Sequence, residues 1–194
     1  MSDLEKRIHE QLEPLLSMRD PRERISAYHD MPYALFRYDP EDELLLRKQV
    51  TFLTTRLENQ HAKRVHRISL AKCLHEAILS ERPIEEWVEA EKEQGVGKIV
   101  ETIHEVLAES ETSSLVELVA KQMPKDADPL TDIVFINRTG ALFPMYRTFA
   151  LLEQLKGRVV APTVLFYPGV LDGAAGLRFM GVLEAEHNYR PKIF

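Results

Sequence analysis

A polar and basic stretch, Asn137 to Arg147, contains the residues best suited to bind a charged group. It joins a predicted buried strand to a predicted helix, and a second predicted loop, 167–173, leaves the neighbouring strand at the same sheet edge. Open α/β sheets bind ligands at the carboxyl ends of their strands. We therefore expect the two loops to form a surface for an anion or a partner's acidic group. The candidate partner-binding residues are Asn137, Arg138, Tyr146, Arg147, Tyr167 and Asp172.

A second interpretation of the same two loops stays open at this point. Position in a fold is only an analogy for function, because one fold supports many kinds of site. The loops could simply turn the chain, with Arg147 paired to a nearby carboxylate.

The segment Gly95–Ile99 matches a phosphate-binding loop only in part. Such a loop needs a glycine five residues before Gly97, where this chain has Lys92, and a hydroxyl that binds magnesium, where it has Ile99. The motif also follows a strand, whereas the preceding segment here is predicted to be helical. We interpret Gly95 to Ile99 as a turn between two helices.

Catalytic and metal-binding motifs are also missing from the sequence. His75 and His104 each lack the second histidine that a zinc-binding helix requires, and no serine lies in a G-x-S-x-G turn. Cys73 lies in a helical apolar pattern, which predicts a buried side chain. We therefore predict no enzymatic activity, no catalytic residue, no metal and no cofactor.

Hydrophobic periodicity predicts an α/β fold. Strands are predicted at 33–38, 65–70, 132–136, 163–167 and 177–183, and helices near the N-terminus, after Asp39-Pro40, before Pro83, and at 84–93, 98–109, 113–122 and 144–155. Ser2 to Glu5 has capping-box spacing at the first helix, and Leu46, Val50, Leu53 and Leu57 form an apolar stripe on the helix after Asp39-Pro40. The strands at 132–136 and 163–167 are near-continuous apolar runs, which are typical of strands buried on both faces. Residues 131–167 read as a strand–helix–strand unit with parallel strands. We expect a single domain over 1–194 with a mostly parallel sheet of about five strands flanked by helices. An acidic all-helical insertion or long crossover occupies about 83–123.

Composition agrees with one globular domain. The chain has 194 residues, 44% of them hydrophobic, which is enough to bury a substantial core. Its one cysteine excludes an internal disulfide. It has no apolar run long enough to span a membrane and no secretory signal, so we expect a soluble, cytoplasmic protein.

Charge is distributed unevenly along the chain. The net charge is −6, yet residues 81–117 contain eleven Glu against three basic residues, a local charge of −8. Residues 56–72 contain five basic residues against one Glu, a local charge of +4. Runs of charge usually form solvated faces, and the net negative charge does not favour binding of DNA by this chain alone.

The C-terminal third contains a recognisable series of motifs. A strand precedes Gly140-x-x-x-Pro144-x-x-Arg147, and then come Pro162–Gly169, Gly173, Leu177 and Asn188-Tyr189-Arg190. Over residues 131–194 this series resembles the BrxB family, and the strand at 34–39 before an Asp-Pro turn adds to the likeness. BrxB proteins are components of BREX, a bacterial anti-phage defence system, so the resemblance implies a role in phage resistance.

Two hypotheses for function follow. In the first, the chain is a non-enzymatic interaction subunit that docks onto another BREX protein, the alkaline-phosphatase-like PglZ, through the acidic helices or the loops 137–147 and 167–173. In the second, it is a degenerate nucleotide fold that binds a nucleotide or nucleic acid. Topology and the basic segment 56–72 support the second, whereas the missing phosphate loop opposes it. Neither hypothesis involves a membrane.

Overall fold

A computed structural model of the chain describes residues 1–25, 32–110, 113–173, 176–187 and 191–194. Its strands are β1 (Tyr33–Tyr38), β2 (Arg64–Ser69), β3 (Asp132–Asn137), β4 (Thr163–Asp172), β5 (Gly176–Phe179) and β6 (Lys192–Ile193). They form one sheet in the order β2-β3-β4-β1-β6, in which all neighbours are parallel. Among the described strands only β5 is antiparallel, and it pairs with the end of β4. The predicted α/β class and mostly parallel sheet are confirmed.

Helices cover both faces of this sheet. The α-helices are α1 (Asp3–Arg7), α2 (Glu13–Leu16), α3 (Arg22–Ile25), α4 (Glu43–His61), α5 (Leu70–Glu81), α6 (Ile84–Gln94), α7 (Val96–Glu109), α8 (Leu115–Gln122) and α9 (Thr148–Gln154). A π-helical turn, Ile8–Leu12, joins α1 to α2, and 3-10 turns occupy Pro40–Asp42 and Thr139–Leu142. The result is a three-layer arrangement with the sheet in the middle.

Two apolar cores form because side chains alternate between the faces of each strand. On one face, Phe36, Phe135 and Phe166 pack against the N-terminal helical segment and the predicted stripe of α4, which consists of Leu46, Val50, Leu53 and Leu57. On the other face, Ile136 and Leu165 pack against α5, α7, α8 and α9, and we call this cluster the main core. The middle strands are buried on both sides, as their continuous apolar sequences predict.

The chain begins its first helix at the predicted capping box. The Ser2 hydroxyl accepts a hydrogen bond from the Glu5 backbone N–H, and the Glu5 carboxylate accepts one from the Ser2 backbone N–H. Pro14 lacks an N–H and would crowd the carbonyl group four residues earlier, and the π-helical turn lies directly before it. The helix was predicted correctly, but its π-helical turn was not.

The acidic segment is a long crossover from β2 to β3. The end of α7 and all of α8 contribute to the main core through side chains such as Leu107 and Leu118. In contrast, α6 and the start of α7 enclose a small separate cluster of Trp87, Ala90 and Ile99. Gly95, with φ of 83°, forms the predicted turn between α6 and α7.

The helix predicted at 144–155 is shorter in the structure. It begins at Thr148, because the backbone of Arg147 is extended and residues 144–147 are therefore not part of the helix. Tyr146 and Thr148, two positions apart, are both buried. A spacing of two suits an extended segment rather than a helical face.

The last predicted strand, Leu177–Leu183, is also wrong in extent. β5 ends at Phe179, because Met180 and Gly181 adopt positive φ and turn the chain. β4 instead extends five residues beyond Tyr167 to pair with β5. At Gly169 a Cβ atom would lie 2.5 Å from the Arg178 carbonyl oxygen, so this close hairpin requires glycine.

Asn188, Tyr189 and Arg190, which belong to the motif series of the sequence, lie outside the described residues. Among the residues that are described, every helix is too short or too polar to cross a bilayer.

Candidate functional site

Asn137 and Arg138 lie at the carboxyl end of β3 and line a cavity of about 310 Å³. We call this cavity the cationic pocket. Ser69, the last residue of β2, is in register with Asn137, so the two strands end together at the cavity. The first half of α4 contributes Glu43, Leu46, Arg47 and Val50, and Arg67 of β2 and Lys72 of α5 complete the basic lining. The pocket thus lies at the carboxyl ends of two parallel strands, the usual place for ligands in an open α/β sheet. Of the six candidate residues, its lining includes only Asn137 and Arg138.

Glu43 is the one carboxylate among the residues that line the cationic pocket. Its Oε1 atom lies 2.8 Å from Arg47 Nε and 3.5 Å from Arg138 Nε. The hydroxyl of Tyr38 donates a hydrogen bond to its other oxygen. Burial and the neighbouring Glu43 raise the pKa of Tyr38, which keeps this hydroxyl a neutral donor. Both oxygens of Glu43 are therefore engaged by groups of the protein.

The other two basic side chains of the pocket are differently placed. Arg67 and Lys72 are exposed, and neither forms an ion pair with any residue in the described ranges. The pocket therefore holds four cationic side chains against one carboxylate, a local charge of +3. Low-dielectric walls such as Leu46 and Val50 strengthen the field of such a cluster.

Arg138 also has an unusual backbone. Its φ of 61° and ψ of 32° lie in the left-handed region, immediately before the 3-10 turn Thr139–Leu142. This conformation costs a non-glycine residue about 1 kcal/mol or more, and it is enriched at binding sites. The fold keeps Arg138 at the pocket in spite of that cost.

The rest of the basic segment 56–72 does not extend this positive surface. Arg56 donates two hydrogen bonds, of 2.6 and 2.8 Å, to Glu13. The buried Lys63 Nζ donates to three backbone carbonyl groups, and Arg64 forms a 2.7 Å ion pair with Asp132. The continuous basic patch suggested by the sequence does not form, because three of its five cations have structural partners.

Tyr146 and Arg147 lie apart from the cationic pocket. Tyr146 is buried in the main core, where its ring centroid lies 6.1 Å from that of His104. Arg147 Nη1 lies 3.5 Å from a carboxylate oxygen of Glu186. Pairing of Arg147 with a local carboxylate is the alternative that the sequence left open.

Tyr167 and Asp172 occupy two further places. Tyr167 is fully buried in the main core beside Phe179, with ring centroids 5.4 Å apart. Asp172 pairs with Arg178 across the hairpin at 3.4 Å. The predicted convergence of six residues on one surface is therefore wrong. The strand β4 continues through position 167, so no loop leaves the sheet there.

A second cavity joins the acidic crossover to the segment before α9. His104 Nδ1 donates a hydrogen bond of 2.7 Å to the carbonyl oxygen of Met145. The adjoining groove has a volume of about 320 Å³, and we call it the acidic groove; its lining consists of Val100, Glu101, His104, Glu105, Pro144 and Met145. The acidic helices and the loop 137–147, which the sequence proposed as separate docking surfaces, are thus in contact.

An apolar pair on α6 is exposed close to the acidic residues. Ile84 and Val88, one helical turn apart, are 50% and 46% exposed. Glu85 and Glu89, beside them on α6, are exposed as well. An adjacent side of α6 packs through Trp87, whose Nε1 donates to the Ile78 carbonyl oxygen at 3.0 Å. The helix is therefore held in place while its outer face stays open.

Cys73 is buried, as its sequence pattern predicts. Its Sγ accepts a hydrogen bond of 3.2 Å from Gln122 Nε2, and burial raises the pKa of the thiol to about 11. Within the part of the chain that the structure describes, no three His, Cys, Asp or Glu side chains are grouped to hold a metal ion.

Sequence reasoning did not connect Glu43 and Arg47 with a site, and it counted Lys72 only in the basic segment 56–72. Glu43 and Arg47 lie in the first two turns of α4, which follows β1, and Lys72 lies in the first turn of α5, which follows β2. All three residues are therefore near the carboxyl edge of the sheet. Strand order was the missing information. Only when β2 is placed next to β3 do these helix starts meet Asn137 and Arg138.

The fold and the two cavities described above define a three-layer α/β protein with a cationic pocket at the sheet edge and an acidic helical crossover. A family model described as BREX protein BrxB matches residues 66–193. The chain therefore belongs to the BrxB family and is a component of a BREX defence system. The match includes the acidic crossover, which the sequence motifs alone did not connect to the family.

A relative of similar length supports this assignment. The BREX protein BrxB of Bacillus cereus (strain H3081.97) is 26% identical over 189 residues, which cover 95% of this chain and 96% of the relative. No solved structure matches the chain.

Proposed function

We propose that this BrxB-family protein is a non-enzymatic assembly component of its BREX system and docks onto PglZ. Family membership supports the broader part of this proposal, because it makes other BREX proteins the natural partners. The observation that carries the docking role is the outer face of α6, where exposed Ile84 and Val88 stand beside exposed carboxylates. Such a face suits a partner groove with an apolar floor and a basic rim.

The docking surface extends beyond α6. A stable complex of standard size buries about 800 Å² on each partner, which is more than one helix face offers. The acidic groove adds Glu101 and Glu105 of α7, together with Pro144 and Met145. The hydrogen bond from His104 to Met145 fixes α7 against that segment, so the additional surface is preformed.

The candidate residues enter this surface to different extents. Arg147 is about half exposed and lies two residues beyond Met145, so it can join the rim of the acidic groove. Tyr146 supports the same segment from the core rather than offering a contact of its own. Asn137 and Arg138 line the cationic pocket, whose lining shares no residue with the acidic groove.

Charge reversal on α6 tests the proposal. We expect Glu85→Lys combined with Glu89→Lys to weaken co-purification with tagged PglZ from the same system by at least about tenfold, because both changes place positive charge against the expected basic rim. Both side chains are exposed and form no ion pair with described residues, so the circular dichroism spectrum should not change.

A matched variant controls for net charge. Glu10→Lys with Glu23→Lys also reverses two exposed carboxylates, but in the N-terminal segment. We expect this control to bind PglZ as the unmodified protein does. Equal binding by both variants would exclude α6 as the docking surface, and equal weakening would show an unspecific effect of net charge.

A further inference from the structure

The cationic pocket has a charge that the protein itself does not neutralise. Glu43 is shared among Arg47, Arg138 and the Tyr38 hydroxyl. Arg67 and Lys72 remain without a carboxylate partner among the described residues. The pocket thus holds four cations and one carboxylate, so its cations repel one another, and an anionic ligand would relieve that repulsion.

The shape of the pocket restricts the size of this ligand. A cavity of about 310 Å³ is at the small end of the range for small-molecule sites, which is about 300–1,000 Å³. Its basic side chains come from α4, β2, α5 and the end of β3, so they surround a volume instead of following a line. A duplex backbone requires cations spread over an extended surface. The other basic residues of segment 56–72 have structural partners, so they do not extend the pocket into such a surface.

Charge and polarity restrict its chemistry further. A diphosphate group carries about three negative charges at neutral pH, which matches the net +3 of the lining. Arginine forks suit phosphate oxygens, and the Asn137 amide and Ser69 hydroxyl add neutral hydrogen-bonding groups beside them. Leu46 and Val50 provide an apolar wall for the remainder of the molecule.

We propose that the cationic pocket binds a small diphosphate ester of the nucleotide class. Arg67 and Lys72 hold the phosphate oxygens, while Glu43 fixes Arg47 and Arg138 in the lining. This binding site is additional to the docking role, because the pocket and α6 share no residues.

Calorimetric titration with inorganic pyrophosphate, ADP, adenosine and a short single-stranded DNA tests the proposal on the full chain. We expect pyrophosphate and ADP to bind and adenosine not to bind. Tighter binding of ADP than of pyrophosphate supports the nucleotide class. Equal binding of the two would overturn that class and leave the diphosphate alone as the recognised group.

The variant Arg67→Gln with Lys72→Gln should weaken ADP binding at least about tenfold, because it removes two cations with no structural partner. The control Lys6→Gln with Lys92→Gln removes two exposed cations elsewhere and should bind as before. No binding of pyrophosphate or ADP at millimolar concentration would overturn the proposal. Equal loss in both variants, or binding of DNA alone, would overturn it as well.

Discussion

Replacement of Arg56 by methionine should destabilise the protein, because it leaves the Glu13 carboxylate buried without its charged partner. Glu13 in α2 has only 9% of its side chain exposed, whereas Arg56 in α4 has 28% exposed. Two hydrogen bonds join them, of 2.6 Å from Nε and 2.8 Å from Nη2. This pair ties the N-terminal helical segment to α4 over the sheet.

The structure indicates different costs for removing each partner. Removing one member of a buried pair costs about 3–5 kcal/mol when the other cannot reach water. Because Glu13 keeps a contact with His9 at 3.1 Å, we expect Arg56→Met to lower the free energy of unfolding by about 3 kcal/mol. Glu13→Gln leaves the more exposed Arg56 able to contact water, so we expect about 1–2 kcal/mol.

Urea denaturation followed by circular dichroism at pH 7 measures both costs. Lys98→Met serves as the control, because the Lys98–Glu101 pair is exposed and its loss should have no measurable effect. If Arg56→Met costs no more than Glu13→Gln, the argument that an unpaired buried carboxylate dominates is wrong.

The same pair should show a defined pH dependence. Burial alone would raise the pKa of Glu13, but hydrogen bonds with Arg56 and His9 outweigh it and hold the pKa below its ordinary value of 4.5. A lowered pKa in the folded state stabilises the protein above that ordinary value, and the stabilisation is lost as pH falls through the folded-state value. The cost of Arg56→Met should therefore decrease at acidic pH.

Two further predictions concern single positions. Ala62, the exposed residue at the end of α4, has a φ of 51°. Because glycine adopts this conformation without strain, Ala62→Gly should raise the free energy of unfolding by about 0.5–1 kcal/mol in the same urea assay. A decrease would contradict the expected relief of backbone strain. The Cys73 thiol is buried, and burial raises its pKa to about 11. At pH 8 it should therefore react with Ellman's reagent at least about 100-fold more slowly in the folded than in the unfolded protein. Similar rates in the two states would contradict its burial.

Local sequence patterns predicted most of the elements. The Ser2–Glu5 capping box marked the first helix, and the stripe from Leu46 to Leu57 marked α4 and its buried face. Continuous apolar runs located β3 and the first half of β4. In each case a few neighbouring residues contain the full physical reason for the structure.

Features that depend on distant residues were not predictable in this way. β6 has only two residues, and its pairing with β1 depends on a strand some 150 positions earlier in the chain. The end of β4 pairs with β5 after Gly169, although Pro168-Gly169 reads as a turn in the sequence. Strand order is also a long-range property, so the cationic pocket between α4 and the ends of β2 and β3 could not be assembled from the sequence.

The central claim is that this BrxB-family protein assembles with another BREX protein. Co-purification of the full chain with tagged PglZ from the same system tests it most directly, with nuclease present, at low and moderate salt, and with size-exclusion chromatography as the final step. The proposal predicts a complex that elutes as one species and persists after nuclease treatment. Separate elution of the two proteins under every condition would contradict it.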